Sequence, residues 1–310
     1  MINLRWRSGR GLTVRIVERP GVALAPGPLG ELVSDLRAVA GLTLGEEELS
    51  YGVLGGDAER LRNCVVTVVY EKAAGGDRGR PVAFNVLSLL DVELAGRPTR
   101  VMHLGLVMVD PALRGRGLSS TLYGLTCVLM FLAGQGRALW ISNVSQVPAV
   151  VGMVAETFSN VFPSPRAGAR RSFDHLTLAR QIMARHRAAF GVGDEAGFSE
   201  ATFVITDAYT GGSDALKKTF EEAAPHRMER YNAFCREQLD YRRGDDLLQL
   251  GRIDMAAAGR YLGKVAPPTT AMGLGGLALL MAARMVLLPV VHWLSAGRPW
   301  GVLRPWRETV

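Results

Sequence analysis

Residues 101–120 read VMHLGLVMVD followed by PALRGRGLSS, and this stretch decides the fold. An apolar run of strand length, residues 101–109, ends at an Asp-Pro pair. A tight turn, residues 114–117, follows it, and a long apolar segment begins at Leu118. Strand, glycine-rich turn and helix together can form an anion cradle, because glycines let a ligand approach the backbone and the first helical amides are unpaired donors. The stretch therefore predicts a site for a diphosphate or a phosphorylated cofactor.

A glycine-rich turn also occurs where a strand simply ends and a helix starts, so on this stretch alone both interpretations stand. The turn is not a Walker A loop, because no Gly-Lys-Ser or Gly-Lys-Thr triplet follows it. It is not the dinucleotide-binding fingerprint either, because the third glycine of that pattern is absent.

The run VDPALRGRGL, residues 109–118, resembles motif A of the GNAT superfamily of acyl-CoA N-acyltransferases. That motif is an apolar strand, Val-x-Pro, two residues, Arg-Gly-x-Gly and an apolar residue. Ser119 departs from the Gly or Ala that usually follows, but it is equally small. A second family landmark, a strand followed by Asn, is matched by residues 138–142 and Asn143, whereas the tyrosine of the next helix is missing. The resemblance covers roughly residues 65–161.

The composition is that of a globular protein with an anionic partner. The 310 residues are 48% hydrophobic and carry a net charge of +7, which suits CoA phosphates, an anionic lipid or a nucleic acid. The arginines lie in short, scattered groups without an RNA-binding or zinc-ligand motif. Nucleic acid is therefore the weakest of the three partners, and no metal site is expected.

The cysteines and the N-terminus indicate a reducing compartment. Cys64, Cys127 and Cys235 are odd in number and widely spaced, so no disulfide framework is expected. Cys127 lies in an apolar run, where burial as a small apolar side chain is its expected role. Residues 1–19 are charged and lack an apolar core segment, so no signal peptide is expected.

Hydrophobic periodicity predicts a mixed α/β chain. Strands are predicted over residues 12–18, 65–70, 81–90, 101–109, 138–142, 202–207 and 247–253, the last two paired, and helices over 29–40, 118–132, 147–158, 173–190 and 225–241. With the resemblance, this predicts a GNAT-like mixed, mostly antiparallel sheet flanked by helices, with a helical insertion and a hydrophobic C-terminal tail. Residues 1–265 would form the acyltransferase domain and 266–310 the tail.

The tail has the composition of a membrane-associating segment. Residues 271–294 are almost wholly apolar and approach the length of a bilayer span, although Arg284 and Pro289 interrupt them. Arginines and tryptophans follow directly, as at a membrane interface. The alternatives are a core helix or a dimer helix. The preferred interpretation is a membrane-embedded or membrane-resting tail, either in the plane of the bilayer or spanning it.

The resemblance implies a set of residues that bind acyl-CoA. The turn amides would hold the diphosphate, and the strand 104–109 would hold the pantetheine arm through its backbone, as an added strand is held. Asn143 would contact the same arm, with a helix N-cap as the alternative role. The cofactor-binding prediction is Leu106, Val107, Val109, Arg114, Gly115, Arg116, Gly117, Leu118, Ser119 and Asn143.

His103 is the predicted catalytic base. Its ordinary pKa lies near neutrality, and it lies on the strand where the resemblance places the reacting thioester. Strand parity puts His103, Gly105, Val107 and Val109 on one face. The alternative is a hydrogen-bonded core histidine.

Other polar residues are secondary candidates. The proton donor to the thiolate would be Ser142, Ser145, Tyr123 or water, while Asn85 and Asp91 would orient the amine. His175, His186 and His226 rank below His103, because the first opens a helix and the others lie in charged helices.

The resemblance implies an acyl-CoA-dependent N-acyltransferase. The apolar tail favours a lipid amine as acceptor, and within the superfamily the chain looks most like membrane-associated long-chain acyltransferases of the bacterial ceramide synthase type. The expected place is the cytoplasmic side of a membrane. The alternatives are a non-catalytic, membrane-tethered acyl-CoA-binding module, an N-acetyltransferase for a small soluble amine, and a scaffold protein.

Overall fold

The computed structural model describes most of the chain outside the tail. The described ranges are 1–7, 11–44, 52–71, 79–116, 118–134, 136–211 and 217–264, with nine single helical residues in the tail: Gly275, Gly276, Leu279, Ala283, Val286, Leu287, Val290, Trp293 and Leu294. Gly117 of the predicted cradle and most of the tail, 266–310, lie outside the described residues. No described helix is both long enough and apolar enough to cross a bilayer.

Eleven strands form one sheet in the described chain. They are β1 (Asn3–Arg7), β2 (Leu12–Glu18), β3 (Cys64–Glu71), β4 (Arg80–Leu94), β5 (Arg97–His103), β6 (Val107–Val109), β7 (Leu139–Ser145), β8 (Ser159–Phe162), β9 (Gly197–Phe198), β10 (Val204–Thr206) and β11 (Asp246–Ile253). The order across the sheet is β1-β2-β3-β4-β5-β7-β11-β10-β9, with β6 paired to β4 and β8 paired to β11.

Seven α-helices flank this sheet in the described chain. They are α1 (Pro20–Ala23), α2 (Pro26–Ala40), α3 (Leu118–Ala133), α4 (Pro148–Thr157), α5 (Phe173–Arg185), α6 (Glu229–Gln238) and α7 (Met255–Lys264). Among the described strand pairs only β5 and β7 run parallel. The mixed, mostly antiparallel sheet and the strand–turn–helix from β6 to α3 confirm the predicted GNAT-like α/β class.

The two faces of the sheet are covered differently. We call face B the side that carries α3, α4 and α7, where one large apolar cluster runs from β2 to β11 and a smaller one, around Val151 and Leu247, lies under α4 and α6. We call face A the opposite side, which carries α2 and α5. Its buried apolar residues fall into two clusters, one under α2 around Leu32 and Phe84, the other under α5 around Ile182 and Trp140. Face A is therefore interrupted in the middle of the sheet, where the large face B cluster is continuous.

The predicted strand 101–109 is two strands, and the predicted parity is wrong. Residues 104–106 form an irregular step between β5 and β6. Val101 packs in the face A cluster under α5, whereas Val107 and Val109 pack into face B. The step inserts a residue that reverses the alternation of side chains, as a β-bulge does. His103 therefore lies on the opposite face from Val107 and Val109.

Several other boundaries shift for local reasons. The predicted helix 173–190 is α5 followed by a separate 3-10 helix, Arg187–Phe190, because His186 leaves the helical conformation. The predicted helix 225–241 narrows to α6, which begins four residues after Pro225. The predicted pairing of the last two strands is confirmed, since Val204 lies opposite Leu247. Cys127 is fully buried, as expected.

Candidate acyl-CoA site

The parallel pair β5 and β7 opens into a gap. The two strands are in register from Val101 and Trp140 to His103 and Ser142, and the Leu104 amide donates to the Ser142 carbonyl at 2.7 Å. Beyond that bond, β6 pairs with β4 and β7 pairs with β11. No described strand lies between β6 and β7, so their facing edges border an open slot.

Backbone polar groups of β6 point into this gap. The Leu106 carbonyl accepts from the Val86 amide at 2.8 Å, which fixes the residues of β6 that face β4. Alternate residues of an antiparallel strand direct their N–H and C=O groups to opposite sides. The backbone groups of Val107 and Val109 therefore face the gap, where an extended chain can add as a strand.

The other edge of the gap and its closed end are equally defined. Because the Ser142 carbonyl faces β5, the backbone groups of Val144, two residues later, face the gap. At the closed end, a Cβ on Gly105 would lie 2.6 Å from the Val86 carbonyl oxygen. Only glycine fits where the strands separate.

The turn before α3 leaves room for an anion. Gly115 has φ of +77°, and a Cβ there would meet nothing within 4 Å. The side chains of Arg114 and Arg116 are exposed, and Ser119 is exposed in the first turn of α3. The guanidinium of Arg114 donates to Thr43 Oγ1 at 3.3 Å, which ties the turn to the end of α2. Open space, helix amides and free guanidinium surface fit a diphosphate.

An ion pair holds the start of this turn. Asp110 is buried, and its carboxylate accepts from the Ala112 amide at 2.9 Å and from the Arg80 guanidinium at 2.6 Å. These bonds, with Arg80 first, hold the pKa of the Asp110 carboxyl below its usual range. Arg80 also reaches Glu71 at 3.1 Å. No local pattern predicts this contact, because Arg80 lies thirty residues before its partner.

His103 lies at the closed end of the gap, on face A. It is buried, its Nδ1 lies 3.1 Å from Ser142 Oγ, and its ring lies 5.0 Å from the ring of Phe190. Burial lowers the pKa of His103 to about 4. The ring is therefore neutral at pH 7, and when Nδ1–H donates to Ser142, Nε2 keeps a free lone pair.

The candidate proton donors occupy different places. Tyr123, on α3, donates to the Gly105 carbonyl at 2.7 Å, and burial raises the pKa of its hydroxyl well above its usual value. It reaches the closed end of the gap from face B. Ser142 is bonded to His103, and Ser145 Oγ accepts from the Val147 amide at 3.0 Å. Of the three, Tyr123 lies at the point where β5 and β6 separate.

Asn143 does not follow a strand and does not cap a helix. It lies within β7, is buried, and its side-chain amide donates to Gln249 Oε1 at 3.4 Å. Gln249 in turn bonds to the carbonyls of Val151 and Pro163. The N-cap alternative is therefore wrong, and the side-chain amide of Asn143 is engaged in the sheet interior.

Asn85 and Asp91, the residues expected to orient the amine, make other contacts. Asn85 is fully buried on face B, where its amide donates to Thr126 Oγ1 at 3.2 Å. Asp91 is exposed and pairs with Arg100 at 3.1 Å. His175 is a buried structural residue, with Nε2 donating to the Asn160 carbonyl at 2.9 Å.

A second buried polar group on face A was not predicted. Asp246 begins β11, and its carboxyl accepts from the Tyr209 hydroxyl at 3.1 Å. Burial, and then the neighbouring Asp245, raise the pKa of Asp246 to about 7, although the Tyr209 bond opposes them. A cavity of about 770 Å³ near this strand end, lined by Phe220, Tyr241 and Asp245 among others, shares no lining residue with the gap.

Comparisons with known proteins find distant solved structures but no sequence match. No family model and no curated protein matches the chain. An AtaT toxin mutant bound to the AtaR C-terminus and acetyl-CoA matches at 15% identity over 48% of this chain and 85% of its own, with a TM-score of 0.32. A ribosomal-protein-S5-alanine acetyltransferase from Vibrio fischeri matches at 15% over 49% and 81%, with a TM-score of 0.32.

A third solved structure is a GNAT family acetyltransferase from Brucella melitensis in complex with acetyl-CoA. It matches at 19% identity over 41% of this chain and 74% of its own, with a TM-score of 0.27. At these scores the likeness carries no argument about function. The class of the fold rests on the strand order, the opened parallel pair and the turn before α3.

Proposed function

We propose that this chain is a GNAT-type N-acyltransferase that uses acyl-CoA. The observation that carries the proposal is the gap between β6 and β7, which begins at Gly105 and has the turn at Gly115 beside the C-terminal end of β6. A pantetheine arm can pair with the backbone groups of Val107, Val109 and Val144 while its diphosphate lies on the turn. Tyr123 and His103 then flank the closed end, where the thioester would lie.

The proposed reaction requires the site to position the two substrates and to carry out two proton transfers. Acyl-CoA supplies an activated acyl group. Transfer forms a bond between the amine nitrogen and the carbonyl carbon and breaks the bond to sulfur. His103 Nε2 would accept the proton that the amine loses, and Ser142 would hold the ring through Nδ1. Tyr123, or water, would return a proton to the thiolate.

The cofactor turn offers a direct test. Gly115→Val would distort a turn that needs a positive φ, and it would place a branched side chain in the open space beside the turn. We expect acetyl-CoA affinity, measured by calorimetry, to fall at least about tenfold. Gly96→Val is the matched control, because Gly96 has φ of +71° with nothing within 4 Å but lies in the β4–β5 hairpin. Equal affinities in the two folded variants would refute the site.

For the acceptor, we propose an amine carried on a lipid, as for a sphingoid base in a ceramide-type reaction, with the tail resting on the cytoplasmic side of a membrane. Seven apolar tail residues are among those that the structure describes: Leu279, Ala283, Val286, Leu287, Val290, Trp293 and Leu294. The six larger ones are 49% to 79% exposed. Arginines and tryptophans follow in the sequence, which suits an anionic bilayer surface.

Flotation with vesicles that contain anionic lipid tests the tail. Leu287→Asp with Leu294→Asp should abolish vesicle binding and lower activity on a long-chain amine far more than on a short soluble amine. Leu42→Asp with Phe173→Asp is the matched control, because these apolar residues are 48% and 78% exposed on the body of the protein. If the tail variant still floats, or if both amines suffer alike, the membrane role is wrong.

Two observations favour the non-catalytic alternative, an acyl-CoA-binding module. A base with a pKa of about 4 is weaker than the optimum near the working pH, and α4 lacks the family tyrosine. Such a module would bind acetyl-CoA and transfer nothing to a panel of aliphatic and aromatic amines. Release of free thiol that depends on the amine would exclude it.

A further inference from the structure

An acceptor can reach the closed end of the gap from one face only. With pantetheine between β6 and β7, an amine must approach the thioester across face A or face B. Beside the gap, face B is covered by the large cluster under α3, α4 and α7, which includes Met102, Leu104 and Ile141. Face A is divided between the cluster under α2 and the cluster under α5, and His103 with Ser142 lies between them. The division in face A is therefore the path to the reacting carbonyl.

Phe190 covers His103 at this division. It ends the 3-10 helix Arg187–Phe190, its ring is half-buried, and it lies 5.0 Å from the His103 ring at an interplanar angle of 33°. Burial is the cause of the lowered pKa of His103, so the cover that Phe190 provides contributes to it. The side chain that shields the base also stands where the acceptor must enter.

The backbone that carries Phe190 is firmly held. The Arg187 guanidinium donates to the carbonyls of Met183, Gly193, Asp194 and Ala196 at distances from 2.7 to 3.3 Å. These four hydrogen bonds fix the backbone on both sides of Phe190. Only the side chain of Phe190 is therefore expected to move.

The segment is also anchored to the sheet. His186 Nε2, next to the 3-10 helix, donates to the Asp91 carbonyl of β4 at 2.9 Å. Gln181, one turn earlier, exchanges two bonds with the backbone of Glu93. The position of the Phe190 ring relative to His103 is therefore set by α5 and β4 together.

We propose that Phe190 is the acceptor-selecting residue of the transferase: its ring forms the wall against which the carbon body of the amine packs as the nitrogen reaches His103. The proposal rests on the proposed function. Leu106 and Met108 border the division from the α2 cluster, and Val144 borders it from the α5 cluster, all half-buried. None of these side chains is charged. They suit an amine on an aliphatic or aromatic body and give a polycation no counter-charge.

Three substitutions test the wall in the full chain. Phe190→Ala enlarges the space beside His103, and Phe190→Trp reduces it. The matched control is Phe198→Ala, because Phe198 is a half-buried phenylalanine at the rim of the same cluster but packs on Phe203, at 5.6 Å, instead of His103. The His103 ring is titrated by NMR. In addition, kcat/KM is measured for a slim and for a branched amine, and KM is measured for acetyl-CoA.

The expected results differ for the wall and the control. Phe190→Ala should move the His103 pKa from about 4 toward its ordinary value by at least about one unit and raise the branched-to-slim ratio of kcat/KM about tenfold. Phe190→Trp should lower that ratio by a similar factor, with KM for acetyl-CoA within about twofold in both. Phe198→Ala should change none of these quantities.

Failures of the two proposals are distinguishable. An active parent whose amine preference is the same in all variants overturns the role of Phe190 and leaves the transferase. An unchanged His103 pKa in folded Phe190→Ala overturns the wall as the cover of the base. A parent that binds acetyl-CoA but acylates no amine overturns the transferase and the acceptor wall with it.

Discussion

Face A and face B of the same sheet differ in how they are packed and in how they bury polar groups. The main apolar cluster of face B is continuous beside the gap, with Met102, Ile141 and Phe131 fully buried, and Asn85 is hydrogen-bonded to Thr126 inside this face. Face A is divided, and its buried polar groups, His103 and Asp246, have pKa values moved far from ordinary. The comparison indicates that face B closes around its polar groups, whereas face A buries titratable groups whose pKa values are displaced by burial.

The largest effect is expected at the division in face A. His103→Ala should lower kcat on the order of 10²-fold while acetyl-CoA still binds, because the base is lost and the gap is not. His175→Ala is the control, a fully buried histidine whose bonds go to Ser172 and the Asn160 carbonyl. His175→Ala should lower the melting temperature, while kcat per folded molecule changes little. A His103 variant within a few-fold of the parent would make His103 a core residue and remove the contrast between the faces.

The next effect belongs to face B. A Cβ on Gly124 of α3 would lie 2.0 Å from the Tyr261 ring of α7, so Gly124→Ala should cost about 2 kcal/mol of unfolding free energy through overpacking. Tyr261→Leu in the same chain should restore part of it. Gly259→Ala, in α7 with nothing within 4 Å, is the control and should stabilise by up to about 1 kcal/mol. Urea unfolding measures all three, and kcat per folded molecule should stay constant.

A third prediction concerns pH and Asp246. The folded-state pKa of about 7 is raised above the unfolded value of about 3.9, so the folded state keeps a proton that the unfolded chain loses. This contribution is present below pH 4 and is lost as pH rises to about 7. Asp246→Asn should therefore raise stability relative to the parent at pH 8, on the order of 1 kcal/mol, and not at pH 4. A variant-minus-parent difference that is flat with pH would contradict the raised pKa.

The smallest expected effect is at the start of the cofactor turn. Arg80→Ala should raise KM for acetyl-CoA about threefold with little change in kcat, because an ion pair with one half-exposed partner contributes modestly. Arg80→Lys should recover part of the loss. Arg100→Ala, which breaks the exposed pair with Asp91 on the same hairpin, is the control and should leave KM unchanged.

Much of the fold was predictable because its signals are local. The alternation over 12–18 predicted β2, and the helical periodicity over 29–40 predicted α2, each within a few residues of its observed bounds. The apolar segment after Leu118 gave α3. Strands β1, β8 and β9 and helices α1 and α7 were missed. Tyr261 of α7 shows why, since its burial depends on a notch at Gly124 that lies far away in the chain.

The candidate site was also only partly predictable from local signals. The sequence by itself singled out the turn at Gly115 with its arginine neighbours, and it singled out His103; the roles of both stay predictions. Only the tertiary structure decided on which face His103 lies, because one inserted residue between β5 and β6 reverses the alternation that parity arguments assume. The partners of the site, Arg80 for Asp110 and Phe190 for His103, come from distant segments. Residue type and local spacing are written in the chain, whereas burial, and with it the pKa of His103, exists only once those segments pack together.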